Sequence, residues 1–489
     1  MSVSTYLQQW TQRPVREVLA GMVGTFALIP EVIAFSYIAG VSPAVSLFAS
    51  FVLSVSISIF GGRPGMISGA AGSVALVAAP LIHAHGVPYM ILATLLAGGM
   101  QVGFGLLRLQ AVMRFVAAEV RTGFVNALAI LIFSAQVPQI LGGGWETWFL
   151  IAAGLAIIYL LPLLPPRRFW NAIPSPLICI VLLTAFTIFH PMAVRTVADL
   201  GELPTGLPHL TWPHLPLTME TFAIVLPCAL AMATVGLLES LMTATVVDDL
   251  TATHGDARQE CTGLGISNIF VGLFGGIAGC GMIGQTIGNL RYGGCGRLST
   301  FTAGAFLLLL MVALHDWVAR IPMAALVAIM IMVSVSTFSW SSLKDLTRHP
   351  HLTSLVMILT VIIVVLTHNL AVGVLVGVLL SGVFFAWRAA GLVKITSSES
   401  GDTLTYYVYG QLFFASADQL DDAIDYLTPK KTVILNLTDA RIWDITTVQV
   451  LERVIDKLHK HDHVVEVAGL NLGQHGILNT QSQHELLQI

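Results

Sequence analysis

"FGGIAGCGMIGQTIGN", residues 274–289, lies in an apolar region, yet six of its sixteen residues are glycine. Glycine is the poorest helix former after proline, so one continuous membrane helix does not fit here. The apolar part, 280–291, is also shorter than the about 20 residues that cross a hydrocarbon core of about 30 Å. In lipid, irregular backbone survives only where protein buries it or where it lines a cavity. The stretch therefore reads as a half-helix at a binding site inside a membrane bundle, and the rest of the chain must say what binds.

The 489 residues are 55% hydrophobic and 10% charged, with a mean hydropathy of +0.82. That is far from the about 25% charged of soluble domains, and it marks a polytopic membrane protein. The polar start, "MSVSTYLQQWTQRPVREVLAG", with Trp10, Arg13 and Arg16, lacks the apolar core and cleavage site of a signal peptide, so the first span is expected to stay. Cys179, Cys228, Cys261, Cys280 and Cys295 have no zinc-ligand spacing and read as packing residues. A net charge of −4 with no basic stripe excludes a nucleic-acid binder. No nucleophile–base pair or metal cluster suggests an enzyme, and no cofactor beyond a coupling ion is expected.

Breaking the apolar region at its Gly, Pro and charged clusters gives spans near 15–35, 42–60, 66–85, 88–107, 122–141, 147–164 and 174–191, then near 220–247, 260–276, 280–291, 299–315, 321–339, 352–367 and 370–388. Seven plus seven, about 13–191 and 220–390, predicts an inverted repeat of the kind secondary transporters use. With an inner N-terminus, Arg13, Arg16, Arg63, Arg108, Arg114, Arg121, Arg167, Arg168, Arg258, Arg291, Arg297, Lys344, Arg348, Arg388 and Lys394 fall inside, and only Arg195 and Arg320 outside. This asymmetry obeys the positive-inside rule and predicts a multi-pass membrane protein with both termini cytoplasmic. Beyond the transport domain, 1–394, residues 395–489 read as a small cytoplasmic α/β domain with a buried strand at 432–437, a helix at 448–460 and a strand at 464–470.

Two spans are poor as continuous helices. "MISGAAGSVALVAAP" (66–80) and "GIAGCGMIGQTIGN" (276–289) hold the third position of each half, and paired interruptions of this kind point to a midplane site. Their helix starts would present free N–H groups and positive dipole ends to an anion. Candidate substrate-binding residues are Ala71, Gly72 and Ser73 on one side and Gly284, Gln285 and Thr286 on the other. Glu239 lies mid-span in "LAMATVGLLESLMTATVV", with Thr243 one turn on. A buried acid with a hydroxyl on its helix face can ligate Na⁺ or carry a proton. Glu31, after Pro30, is a second candidate for the coupling ion, and Gly281 a third contributor. Glu260, Asn268 and Asn289, near span ends, read as interhelical bonds.

Four motifs then make the chain recognisable: "GMVGTFALIPEVIAFSYIAGVSPAVSLFASF" (21–51), "GLLESLMTATVVDD" (236–249), "GLGISNIFVGLFGGIAGCGMIGQTIGNLRYGG" (263–294) and "YVYGQLFFASADQLDDAI" (407–424). In their order they resemble the SulP family of anion transporters with a C-terminal STAS domain. The resemblance implies core and gate domains, an anion site between the third and tenth half-helices, an elevator-like motion and a homodimer. It also implies that Glu31 and Glu239 match the family's acidic positions. Residues 276–289 look closest to bacterial bicarbonate carriers, in which an acid and a Thr on the eighth span bind Na⁺; here these are Glu239 and Thr243. Three departures stand out. Gln285 replaces a common Arg, Gly69-Ala70-Ala71 replaces a Pro-Thr pair, and Glu239 replaces Asp. The resemblance favours bicarbonate carried with Na⁺ across a bacterial inner membrane, with proton-coupled sulfate or dicarboxylate transport, or an uncoupled anion channel or exchanger, as the alternatives. In the STAS domain the phosphorylatable hydroxyl of regulatory relatives falls near Thr446 and Thr447, beside Asp444, where a plain helix cap competes with phosphorylation or a cytoplasmic partner.

Overall fold

The computed structural model describes residues 3–108, 116–163, 175–200, 209–213, 215–216, 218–313, 315–348, 351–367 and 370–469. It forms two compact units, Met1–Val378 and Leu379–Ile489. In the first, α1 (Val3–Thr11) precedes α2 (Pro14–Ala39), α3 (Pro43–Phe60), β1 (Ser68–Gly69), α4 (Gly72–His85), α5 (Val87–Leu106), α6 (Ala118–Leu141), α7 (Trp145–Leu160) and α8 (Ser175–Phe189). The second half brings α9 (Met219–Thr251), α10 (Ala257–Leu273), β2 (Cys280–Gly281), α11 (Ile283–Arg291), α12 (Arg297–Ala313), α13 (His315–Ala319), α14 (Met323–Thr337), α15 (Trp340–Arg348), α16 (His351–Thr367) and α17 (Leu370–Ala390).

Each of the fourteen expected segments carries one helix, while α1, α13 and α15 are additional. Among the described residues, six helices are long and apolar enough to cross a membrane alone, or seven if α2 is taken as one span. That helix bends by 42° between Phe26 and Glu31, where Pro30 can give no N–H to the ladder. The shortened segments do not begin as helix: residues 66–71 and 276–282 are extended, and only α4 and α11 are helical.

Helix packing is reciprocal between the halves. α3 packs on α12 as α10 packs on α5; α2 meets α12 and α11 as α9 meets α5 and α4. α16 lies on α6 as α7 lies on α14. Exchanging the halves maps each of these pairs onto another of them, and the halves bury their apolar faces against each other. At the centre β1 and β2 cross as antiparallel partners, Ser68 with Gly281 and Gly69 with Cys280.

The crossing is tight enough to demand glycine. A Cβ on Gly279 would stand 2.2 Å from the Gly69 carbonyl oxygen. Around it, Asn268 Nδ2 donates to Gly279 O at 3.1 Å and to Gln101 Oε1 at 2.9 Å, while Gly279 N donates to Asn268 Oδ1 at 2.9 Å. Asn289 donates to the carbonyls of Gly65 and Gly294 at 2.9 and 3.0 Å. Glu260 accepts from Gly62 N at 2.8 Å and Arg63 N at 3.1 Å. Polar side chains thus satisfy the irregular backbone that lipid would leave bare.

The second unit is a four-stranded sheet in the order β3-β4-β5-β6, from β3 (Lys394–Ser400), β4 (Thr403–Leu412), β5 (Thr432–Ile442) and β6 (Val464–Ala468). β3 and β4 are antiparallel; β4, β5 and β6 run parallel. Leu404, Tyr406, Val433 and Leu435 pack with Val454 and Leu458 of α19 (Ile445–Lys460), and α18 (Asp418–Ala423) adds Leu420. The compact unit also takes in the end of α17 from Leu379, and Gln419 Nε2 donates to the Ala390 carbonyl at 3.1 Å.

Candidate functional site

The first turns of α4 and α11 face one cavity of about 860 Å³. Ala71, Gly72 and Ser73 line it from one half; Met282, Ile283, Gly284 and Gln285 line it from the other. Two sets of unpaired N–H groups with their dipole ends therefore converge on one volume, which is what an anion requires. Phe35, Glu31 and Glu239 complete this wall, and all of it comes from α2, α4, α9 and α11 with their leading strands. The facing wall is apolar: Phe124, Val125, Leu128 and Ile132 of α6 and Ile329, Met332 and Val333 of α14. Ser336 and Thr337 follow toward one end.

Glu239 sits where the two halves meet. Its Oε2 accepts from Ser73 Oγ of the first half and, at 3.1 Å, from Cys280 Sγ of the second. Thr243 Oγ1 donates to the Glu239 carbonyl at 2.8 Å and to the Gly281 carbonyl at 2.9 Å. Gly281 N donates to Ser240 Oγ at 2.8 Å. Oxygens of Glu239, Ser73, Thr243 and Gly281 thus gather around one helix turn. Glu31 lines the same cavity. The Gln285 amide lies beside it, but Gln285 Nε2 makes no hydrogen bond although the side chain is only 2% exposed.

Thr286 stands apart from the other candidates. It is fully buried and its hydroxyl accepts from Ile67 N at 3.0 Å, so it ties α11 to the extended stretch before α4 and does not line the cavity. A helix advances 100° per residue, and Thr286 therefore cannot share the face of Gly284. Thr243 likewise lies under the cavity floor and not on it.

Two contributors escaped the sequence reading. Cys280, taken for a packing residue, donates a hydrogen bond from its thiol to Glu239 Oε2; only its place at the head of the broken helix hinted at this. Arg291, taken as a loop charge, lines the cavity. In the second unit, Asp444 caps α19, with Oδ1 accepting from Thr447 N at 3.0 Å and Thr447 Oγ1 at 2.8 Å. Thr447 is 1% exposed, whereas Thr446 is exposed at the helix start.

Residues 15–360 match the sulfate permease family, and residues 394–473 match the STAS domain. The Bacillus subtilis protein YbaR, whose name assigns it to sulfate transport only provisionally, is 48% identical over 467 residues, 96% of this chain and 97% of that one. The solved transmembrane domain of a cyanobacterial bicarbonate transporter, BicA, superposes with a TM-score of 0.65 at 26% identity, covering 74% of this chain and 97% of that domain. Murine Slc26a9, an anion transporter solved in an inward-facing state, shares the fold with a TM-score of 0.80 at 15% identity, covering all of this chain and 90% of that one. The chain therefore belongs to the sulfate permease family.

Proposed function

We propose that this protein is a secondary transporter that carries a small inorganic oxyanion, of the sulfate or bicarbonate class, together with a cation that neutralises Glu239. The observation that carries this reading is the charge of the cavity: among the described residues its lining holds two carboxylates, Glu31 and Glu239, and one basic residue, Arg291. An anion placed against two helix starts is attracted by their dipoles but repelled by an ionised Glu239. Occupancy by anion and cation are thereby linked, and each favours the other.

Two cations suit the site. Na⁺ takes oxygen ligands, and the Glu239 carboxylate, Ser73 Oγ, Thr243 Oγ1 and the Gly281 carbonyl are the candidates. A proton needs only a carboxylate oxygen. The Cys280 thiol in contact with Glu239 favours the proton, because sulfur is a poor ligand for a hard cation. The polar wall belongs to one helix set and the facing wall of α6 and α14 is smooth and apolar, which suits movement of the whole polar wall with its cargo, in the manner of an elevator. The STAS domain then serves assembly of a homodimer or regulation in the cytoplasm.

The test is uptake of labelled sulfate and labelled bicarbonate into proteoliposomes under separate Na⁺ and H⁺ gradients, with native protein and Glu239→Gln. Native uptake should follow one of the two gradients. The Gln variant should lose gradient-driven accumulation, by about 5- to 150-fold if a single coupling free energy of about 1–3 kcal/mol is removed. Gradient-independent flux of either anion in the native protein would instead indicate a uniporter or channel, and no flux under any gradient would remove the transporter reading.

A further inference from the structure

The face of α11 beyond the anion floor is unusually bare. Gly284, Gly288 and Arg291 follow one another at spacings of four and three residues, so they share one helix face, and all three line the cavity. Glycine weakens a helix and is retained where the backbone needs positive φ or where another group approaches. Most glycines of this unit have such a reason: a Cβ on Gly98 would meet the Gly265 carbonyl at 2.7 Å, and one on Gly263 the Phe60 carbonyl at 2.4 Å. Gly284 and Gly288 have neither, since both are helical and a Cβ on either meets nothing within 4 Å. Among the described residues, the space before them is open.

The track has two distinct ends. Its inner end is the start of α11, where the buried Gln285 side chain lies beside the Glu31 carboxyl with its Nε2 free of any hydrogen bond within 3.5 Å. Its outer end is Arg291, exposed and with Tyr292 beside it. The cavity residues nearest that end, Val23 and Gly24 in the first half of α2, Ser175 and Pro176 at the start of α8, and Ser336 and Thr337 at the end of α14, belong to the same side of the bundle. We infer that the anion enters and leaves along the Gly284–Gly288–Arg291 face of α11, with Arg291 as its encounter site. A positive residue at a mouth between low-dielectric walls raises the local concentration of anions. The glycines then let a solvated oxyanion pass close to the helix backbone until Gln285 and the helix starts replace its water. This inference rests on the transporter reading for the identity of the cargo, but an anion-selective track is observable without transport.

The test is therefore chemical as well as kinetic. In Gly288→Cys, labelling at position 288 is read by peptide mass spectrometry with a sulfonate-bearing and an ammonium-bearing methanethiosulfonate of equal size. The anionic reagent should react about fivefold faster than the cationic one at low salt, and adding Arg291→Gln should abolish that preference, in proportion to one charge acting at short range in partly screened solvent. Labelling that ignores reagent charge, or a preference that survives Arg291→Gln, overturns the inference. In flux measurements, Arg291→Gln should raise the half-saturating anion concentration about fivefold on the face that carries Arg291 and leave the maximal rate alone. Arg291→Lys should restore most of it. Gly288→Ala should transport, whereas Gly288→Phe should block with an unchanged melting temperature; full transport by Gly288→Phe refutes the track. Native protein that moves no anion but shows the charge-selective labelling keeps this inference and removes the transporter reading instead.

Discussion

Glu239 shows what a single carboxylate does when it is fastened to both halves of a repeat. Ser73 and Cys280 reach it from opposite half-helices, so a change in its charge is felt at once by the two elements that build the anion floor. A neutral Gln still accepts from Ser73, which makes Glu239→Gln a test of charge and not of packing. Asp421 plays a comparable, purely structural part in the second unit. Lys457 Nζ donates to both of its oxygens at 2.8 Å and the Tyr426 hydroxyl also donates to it. These hydrogen bonds hold the Asp421 carboxyl below its ordinary value of 3.8. A depressed folded-state pKa contributes stability that is present above the unfolded value and lost as pH falls through the folded one. Asp421→Asn should therefore weaken this unit by about 0.5–1 kcal/mol at neutral pH, since Lys457 is 41% exposed and screening limits the pair. The measure is amide exchange of α18 and α19 in the full-length protein. The difference from native should shrink in acid below the ordinary Asp range; a difference that stays constant there would assign the effect to packing.

At the scale of elements, the crossing of β1 and β2 is the least forgiving part. Gly279 holds the backbone of one half against that of the other: the Gly69 carbonyl oxygen lies 2.2 Å from where a Cβ would stand, and the Leu53 side chain 2.6 Å from it. Gly279→Ala is expected to cost about 1–3 kcal/mol through overpacking and to part the two half-helices, so that anion binding falls with stability. Gly284→Ala, with open space at its Cβ, should leave stability unchanged or slightly raised. Thermal melting of the two purified variants side by side checks this, and equal melting temperatures would contradict it.

For the whole molecule, the closed side of the cavity matters as much as the open one. At the end opposite Arg291, the Tyr37 hydroxyl near the end of α2 accepts from Gln139 Nε2 near the end of α6. These two helices belong to the polar and the apolar wall respectively, so the bond spans the surface along which an elevator must slide. Tyr37→Cys with Gln139→Cys, joined by a short thiol crosslinker, should stop net transport, and a cleavable linker should restore it on reduction. Full flux in crosslinked protein would show that the two walls need not move past one another there.

Composition and the spacing of apolar runs were enough to read a mostly helical membrane bundle with a C-terminal α/β domain, because lipid imposes span length and backbone satisfaction on every segment. Paired glycine-rich interruptions located the half-helices, and an acid within an apolar run marked Glu239, because each is costly in lipid unless something compensates it. Sequence could not sort neighbours on a nine-residue helix by the direction they face. Gln285 meets the cavity while Thr286 binds the Ile67 amide, and that choice depends on how α11 is rotated against β1. Nor could it join Cys280 to Glu239 or bring Arg291 to the cavity mouth, since these are contacts between segments that are far apart or differently turned in the chain. The individual sequence determined which residues are expensive; only the packing of one half into the other decided which of them meet.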